Sequence, residues 1–101
     1  MPRITVTVPH ELGQEQASGR LATYLDMIRE KNKDKIKDFQ QTLSENSGTF
    51  SFKTMGFKVA GEVAVHPADV TLNCDLPFAA MLFKGRIEKE MREQLEKVLR
   101  A

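Results

Sequence analysis

Residues 76–99, with the sequence LPFAAMLFKGRIEKEMREQLEKVL, join an unbroken apolar run to a highly charged amphipathic segment. In the charged part an apolar side chain recurs every three or four residues, which is the spacing of one face of an α-helix. These residues are Phe83, Ile87, Met91, Leu95 and Val98. Opposite charges four residues apart line the other face, and each such pair adds roughly 0.2–0.5 kcal/mol to an isolated helix. The stretch therefore predicts a helix with Asp75 as its N-cap and Pro77 in its first turn.

The segment Phe78–Phe83 places six apolar residues in a row, whereas a surface helix needs only one apolar stripe. Either the start of this helix is buried in the core, which is the interpretation we favour, or part of it is offered to an apolar partner. In the second case a second copy of the chain, a lipid-like surface or a small apolar ligand would each cover it. Phe78, Met81 and Leu82 are then the candidate binding residues.

The N-terminal third of the chain changes from a strand pattern to a helix pattern. Ile4, Val6 and Val8 alternate with threonines, which is the period of a half-buried strand. Pro9 ends this strand because it lacks a backbone N–H. Apolar residues spaced by three and four then predict a first helix over residues 13–32.

The middle of the chain predicts a run of strands, although residues 31–47 fit a continuing helix as well as an alternating strand. We predict that the first helix ends near residue 33 and that a strand follows over residues 35–43. Asn46-Ser47-Gly48 supplies turn chemistry. Three further strands are predicted over residues 50–56, 57–66 and 70–76, with a tight turn at residues 66–69. Gly61, at an inward position, indicates a bulge or a close approach by a helix.

Together these elements predict an α+β fold. We expect a single domain over residues 1–101, with an antiparallel sheet of four to five strands in the order β-α-β-β-β(-β)-α. Both helices have one apolar face, so two helices covering one face of the sheet is the simplest arrangement that buries every apolar stripe.

Composition restricts the class of protein. The formal net charge of +1 argues against a nucleic-acid binder, and the lysine tract at residues 31–37 is diluted by Asp34 and Asp38. The longest apolar run, Leu76–Phe83, is too short to span a membrane, so no transmembrane segment is expected. The start of the chain lacks the pattern of a signal peptide, and the single cysteine, Cys74, fits a reducing compartment. We therefore expect a cytoplasmic protein.

The sequence offers no catalytic constellation. His10 and His66 stand beside prolines at element ends without further ligands at metal-binding spacing, so we interpret both as exposed turn residues and expect no metal site. Cys74 falls on the apolar side of a predicted strand, which indicates a buried, inert thiol. Phosphate-binding loops and the common hydrolase and redox motifs are missing from the sequence, and we expect no cofactor.

The C-terminal stretch resembles the end of the polyhydroxyalkanoic acid system family, small bacterial proteins in which a leucine-proline step leads into a helix with a Lys-Gly-x-Ile-Glu pattern. Here that pattern is Lys84-Gly85-Arg86-Ile87-Glu88. The Val8-Pro9-His10-Glu11-Leu12-Gly13 step and the Gly61-Glu62-Val63-Ala64-Val65 strand are also similar. The segment Lys31–Gly48 departs from the family pattern, being longer and rich in lysine. The resemblance implies an association with storage-polyester synthesis or granules and supplies no catalytic residues.

Three hypotheses for function follow. The first is a non-enzymatic accessory protein that binds a polyester granule or a granule-coating protein, in the form of a monomer or a homodimer. The alternative is a small domain that grips an apolar ligand between helices and sheet, which requires a closed apolar cavity. An enzyme is the third and least favoured.

Overall fold

The computed structural model describes residues 3–54 and 56–100 of the chain. In chain order the elements are β1 (Arg3–Pro9), α1 (Gln14–Lys31), β2 (Lys37–Leu43), β3 (Ser47–Thr54), β4 (Phe57–Val65), β5 (Asp69–Asp75), a 3-10 helix (Phe78–Phe83) and α2 (Lys84–Val98). This order confirms the predicted α+β fold and the larger of the two strand counts.

The five strands form one antiparallel sheet in the order β1-β5-β4-β3-β2. Strands β2 to β5 make the expected meander, whereas β1 crosses to the far side and pairs with β5 as an edge strand. Thr7 and Thr71, which lie opposite each other in this pairing, are 64 positions apart in the chain. The first strand of the sequence is therefore placed next to the last.

The core lies between one face of the sheet and the two helices. Its buried apolar residues are Ile4, Val6, Val8, Ala17, Leu21, Val63, Val65, Val70, Cys74, Leu76, Leu95 and Leu99. On β1 the burial alternates strictly, because successive strand side chains point to opposite faces. Helix α2 packs mainly on β1 and α1 on β4. Both helices therefore cover the same face, as the apolar patterns predicted.

Three aromatic rings occupy the helix-side face on β2 and β3. Phe39 and Phe52 stack with ring centroids 6.3 Å apart, and Phe50 and Phe52 follow at 6.4 Å. The guanidinium of Arg29, in the last turn of α1, lies 5.2 Å from the centroid of the Phe39 ring, within the range of a cation–π contact. These aromatic side chains therefore pack against one another on the β2 and β3 side of the sheet.

The strand predicted over residues 35–43 is present, but it spans only Lys37–Leu43 and is less regular than predicted. The backbone N–H groups of Lys35 and Ile36 both donate to the carbonyl oxygen of Asn32, so the chain is still turning at the end of α1. Strand β2 begins at Lys37, and its pairing with β3 shifts by one residue before Gln40. Asp38 lies at this bulge with a φ of 53°, a left-handed conformation that aspartate tolerates better than most residues.

The predicted turn at Asn46-Ser47-Gly48 is displaced toward the N-terminus. The backbone N–H of Ser44 donates to the carbonyl of Ser47 at 2.9 Å, and β3 already begins at Ser47. Gly48 is a buried strand residue whose missing Cβ would lie 2.7 Å from the Cδ2 atom of Leu43. Glycine leaves room there for the Leu43 side chain of the neighbouring strand and does not serve a turn conformation.

Gly61 also serves a close approach, but the neighbour differs from the helix or bulge that we predicted. The pairing of β4 with β3 and with β5 runs regularly through this position. A Cβ on Gly61 would lie 2.6 Å from Cζ of Phe50 and 2.7 Å from the carbonyl oxygen of Asn73. The ring of Phe50 therefore rests over the glycine from the adjacent strand.

The C-terminal helix begins later than predicted. Residues Phe78–Phe83 form a 3-10 helix, and α2 begins only at Lys84. The predicted N-cap is wrong, because Asp75 ends β5 and its Oδ1 accepts a hydrogen bond from Nε of Arg3 at 2.9 Å. Of the predicted apolar face of this helix, only the first residue, Phe83, points away from the core and is mostly exposed.

Replacing Leu95 with alanine should lower the free energy of unfolding by about 2–5 kcal/mol, because this side chain is 5% exposed in the core beneath α2. Leu82→Ala is the matched control, since Leu82 is 91% exposed and its loss should cost less than about 0.5 kcal/mol. Ile87→Ala should fall between the two because Ile87 is only partly buried. Chemical denaturation measures all three, and equal losses for Leu95 and Leu82 would contradict this packing.

Candidate binding surface

The 3-10 helix after β5 presents most of its apolar side chains to solvent. The exposed fractions are 70% for Phe78, 52% for Met81, 91% for Leu82 and 56% for Phe83. The interpretation that this segment is buried in the core is therefore wrong. The three candidate residues Phe78, Met81 and Leu82 instead lie together on the surface, in the second of the two arrangements that the sequence left open.

Two inward side chains hold this segment in place. Leu76 is buried directly after β5, and Ala80 packs against the core from the middle of the 3-10 helix. Pro77 between them is extended, and its carbonyl accepts from the N–H of Ala80 at 2.9 Å. Because a 3-10 helix has three residues per turn, Phe78 and Met81 lie on one side, away from Ala80. The exposure of Phe78 and Met81 thus follows from how the segment is anchored.

A fifth exposed apolar side chain comes from the neighbouring strand. Strand β4 begins with Phe57 at the end of the sheet where β5 finishes, since Ala60 pairs with Asp75 in the antiparallel register. Phe57 is 45% exposed. We call the exposed apolar side chains at this end of the sheet the apolar end; they are Phe57, Phe78, Met81, Leu82 and Phe83. Four of them belong to one six-residue segment, and exposed apolar side chains grouped in this way indicate an interaction surface.

The sequence identified three members of the apolar end and missed two. Phe83 was assigned to the buried face of α2 because it fits the spacing of that face, which in fact begins one turn later. Phe57 was assigned to a strand, correctly, but its exposure depends on its place in the first position after the β3–β4 turn. The signal that could have identified it is Gly56, which has a φ of 81° and ends the preceding turn.

A groove of about 930 Å³ along α1 has a largely apolar lining but is open to solvent, whereas the small-ligand hypothesis requires a closed apolar cavity. Its lining includes Glu15, Gln16, Arg20 and Tyr24 beside Met27. The guanidinium of Arg20 donates to the carbonyl of Val98 at 3.2 Å and to that of Arg100, and the hydroxyl of Tyr24 donates to Oε1 of Gln94 at 3.0 Å. Partial burial raises the pKa of Tyr24. These polar side chains join α1 to the end of α2, which is a structural role.

The sheet face opposite the helices carries a connected polar network. Arg3 contacts Oδ1 of Asp75 at 2.9 Å and Oε1 of Glu62 at 3.6 Å, and the bond to Asp75 raises the pKa of the guanidinium. Beside them Thr5 donates from Oγ1 to Oδ1 of Asn73 at 2.7 Å. These contacts join β1, β4 and β5 across the exposed sheet face, which is a structural role.

Of the two histidines, one has structural hydrogen-bond partners and the other is exposed. His10 is buried, contrary to prediction: its Nδ1 accepts from the N–H of Leu12, and its Nε2 donates to the carbonyl of His66 at 3.0 Å. His66 itself is exposed, as expected. Within residues 3–54 and 56–100, no three His, Cys, Asp or Glu side chains converge in the manner of metal ligands. In the same ranges, no helix has both the length and the apolar character needed to cross a membrane.

Comparisons with known proteins identify a family and a similar fold. The family model described as "Putative polyhydroxyalkanoic acid system protein" matches residues 4–99.

The NMR structure of PA4090 from Pseudomonas aeruginosa is similar, with a TM-score of 0.59 and 18% sequence identity over 100% of this chain and 88% of that one. The crystal structure of TTHA0849 from Thermus thermophilus gives a TM-score of 0.43 at 17% identity, covering 97% of this chain and 92% of that one. The comparison with curated proteins finds no match. At 18% identity the first structure shows a shared fold and nothing further.

Cys74 should react with a thiol reagent only slowly in the folded protein. Burial raises its pKa from 9.0 to about 11, so at pH 8 the native thiolate fraction is roughly 100-fold lower than in the unfolded chain. A chromogenic aromatic disulfide should therefore label the protein at least about 100-fold faster in urea than in buffer. Because the folded thiol has the higher pKa, its contribution to stability is complete below pH 9 and falls as the pH rises toward 11. Similar labelling rates in the two conditions would contradict the burial of this side chain.

Proposed function

Because this chain belongs to the polyhydroxyalkanoic acid system family, we propose that it is a non-enzymatic accessory protein of storage-polyester metabolism in the cytoplasm. It attaches to a granule surface, or to a protein that coats the granule, through Phe78, Met81 and Leu82. The observation that carries this proposal is the exposure of three consecutive apolar residues, Met81, Leu82 and Phe83, with Leu82 91% exposed.

The exposed side chains offer enough apolar area for reversible attachment. Fully burying one large apolar side chain is worth about 1.5–3 kcal/mol. Transfer of Phe78, Met81 and Leu82 into an apolar phase would therefore contribute on the order of 5 kcal/mol before the entropy lost on association is subtracted. Amphipathic segments hold to lipid interfaces through similar partial burial. Such an attachment is strong enough to concentrate the protein on a surface and weak enough to release it.

The non-enzymatic part of the proposal is supported by how the reactive side chains are engaged. Cys74 is buried with a raised pKa, and both ring nitrogens of His10 are used in backbone hydrogen bonds. Arg3, Asp75 and Glu62 pair with one another on the open sheet face. A catalytic acid, base or nucleophile must instead be free to meet a substrate in a cleft. The apolar end has no titratable member at all.

The double variant Phe78→Ser, Leu82→Ser should lose binding to isolated polyester granules while keeping its unfolding midpoint. We expect at least a roughly tenfold drop in the bound fraction in a granule co-sedimentation assay, because two of the most exposed apolar side chains are removed. Thermal or chemical denaturation of the same variant checks the second half of the prediction. Loss of folding would show that these side chains stabilise the core and would remove the support for a surface role.

A matched control compares Leu43→Ser with Leu82→Ser alone. Leu43 is 47% exposed at the end of β2, which lies at the opposite end of the strand from Lys37 and the apolar end. The control removes one leucine side chain and should bind granules as the unmodified protein does, whereas Leu82→Ser should weaken binding. An equal loss of binding in both variants would indicate unspecific hydrophobic adsorption and would contradict the proposal. Repeating the assay on granules stripped of protein separates binding to the surface from binding to a coat protein.

A further inference from the structure

The charged residues are distributed unevenly between the two ends of the molecule. The strand register places the start of β2, the β3–β4 turn and the end of β5 at one end of the sheet, and the chain connects the last turns of α1 and the first turns of α2 to that end. These segments, residues 26–38, 53–58 and 84–90, together with Arg3 and Asp75 at the same end of the sheet, hold eleven lysines and arginines against seven aspartates and glutamates. The rest of the chain holds four against seven. The net charge of +1 is thus the sum of a basic end and an acidic remainder.

Two lysines adjoin the exposed apolar side chains in the chain, since Lys58 follows Phe57 and Lys84 follows Phe83. Lys58 projects from the sheet face opposite that of Phe57, because neighbouring strand residues alternate, whereas Lys84 begins α2 directly after the 3-10 helix. Both lysines are exposed, and neither has a carboxylate within 4 Å among the residues that the structure describes. By comparison Lys53 is engaged with Asp38 at 3.6 Å, and Arg86 with Glu90 at 3.4 Å. Lys58 and Lys84 are therefore free to meet a negative partner.

We propose that the apolar end docks on an anionic lipid surface, with its apolar side chains among the acyl chains and Lys58 and Lys84 on acidic headgroups. This inference rests on the proposed function and specifies the chemistry of the surface to which the protein attaches. An apolar cluster with a basic rim matches such an interface, since lysine stems lie along apolar surface while the ammonium group reaches the headgroups. Acidic headgroups also attract cations over about one Debye length.

The other candidate surfaces match only part of this arrangement. A bare polyester surface is uncharged, so it would take the apolar side chains but leave Lys58 and Lys84 without partners. A nucleic acid would pair with the lysines and leave five exposed apolar side chains in water. An anionic lipid layer satisfies both sets of groups in one contact. The acidic remainder of the protein is repelled from such a layer, which orients the molecule with the 3-10 helix inward.

The test compares vesicles of phosphatidylcholine with vesicles in which about a third of the lipid is phosphatidylglycerol. We expect at least roughly tenfold tighter binding to the anionic vesicles at low salt, and loss of this preference in about 0.5 M salt. The variant Lys58→Gln, Lys84→Gln should reduce binding to anionic vesicles by on the order of tenfold. Lys97→Gln with Arg100→Gln changes the net charge by the same amount at the opposite end of α2 and should leave binding unchanged.

Binding to protein-free polyester particles distinguishes this inference from the proposed function. If the unmodified protein binds the particles but treats the two kinds of vesicle alike, the inference is wrong and the granule function stands. If it prefers anionic vesicles but binds neither particles nor granules, the inference stands and the granule function is wrong. If Phe78→Ser, Leu82→Ser dissociates a dimer and the unmodified protein binds no vesicle, the apolar end is a contact between copies and the inference is overturned. Equal losses from the two lysine and arginine variants would also overturn it, because only overall charge would then matter.

Discussion

The pairing of β1 with β5 is the contact on which the rest of the structure depends. It brings Ile4, Val6 and Val8 into the centre of the core and creates the surface on which α2 packs. Helix α2 is tied to this strand by a side chain as well, since Nη1 of Arg92 donates to the carbonyl of Thr7 at 3.0 Å. Because the two strands are separated by most of the chain, the core closes only when the N-terminus meets the end of the meander. Long-range contacts of this kind slow folding, because the entropy of closing a long loop opposes their formation.

Local periodicity explains which parts of the fold could be predicted. Strict alternation in β1 and the three-and-four spacing in α1 and α2 each reflect one buried face, so the α+β class, a sheet of four to five strands and the shared helix face follow from the sequence. The partner of β1 does not follow, because an alternating strand fits beside any other strand with the same apolar face. The irregular start of β2 does not follow from the sequence either. There the chain leaves α1 through a turn that two backbone bonds to Asn32 hold in place.

The candidate surface could be located from the sequence but not described correctly. Six consecutive apolar residues show no helical period, so their sequence does not distinguish a buried segment from an exposed one. The anchoring by Leu76 and Ala80 decides between the two. Asp75 was assigned to a helix cap because it stands shortly before a proline, yet its partner is Arg3, which is distant in sequence. Phe57 joins the surface through the antiparallel register of two strands. Each of these outcomes depends on residues that no local window contains.

The two edges of the sheet matter if many copies gather on one surface. Unpaired strand edges tend to add further strands, and crowding brings such edges together. On one edge Arg92 occupies the carbonyl of Thr7, and on the other the bulge at Asp38 breaks the straight ladder of β2. Neighbouring molecules therefore meet edges that are poor templates for continuous hydrogen bonding. If many copies bind one surface, strand pairing between them is therefore disfavoured, and each molecule remains able to dissociate independently of its neighbours.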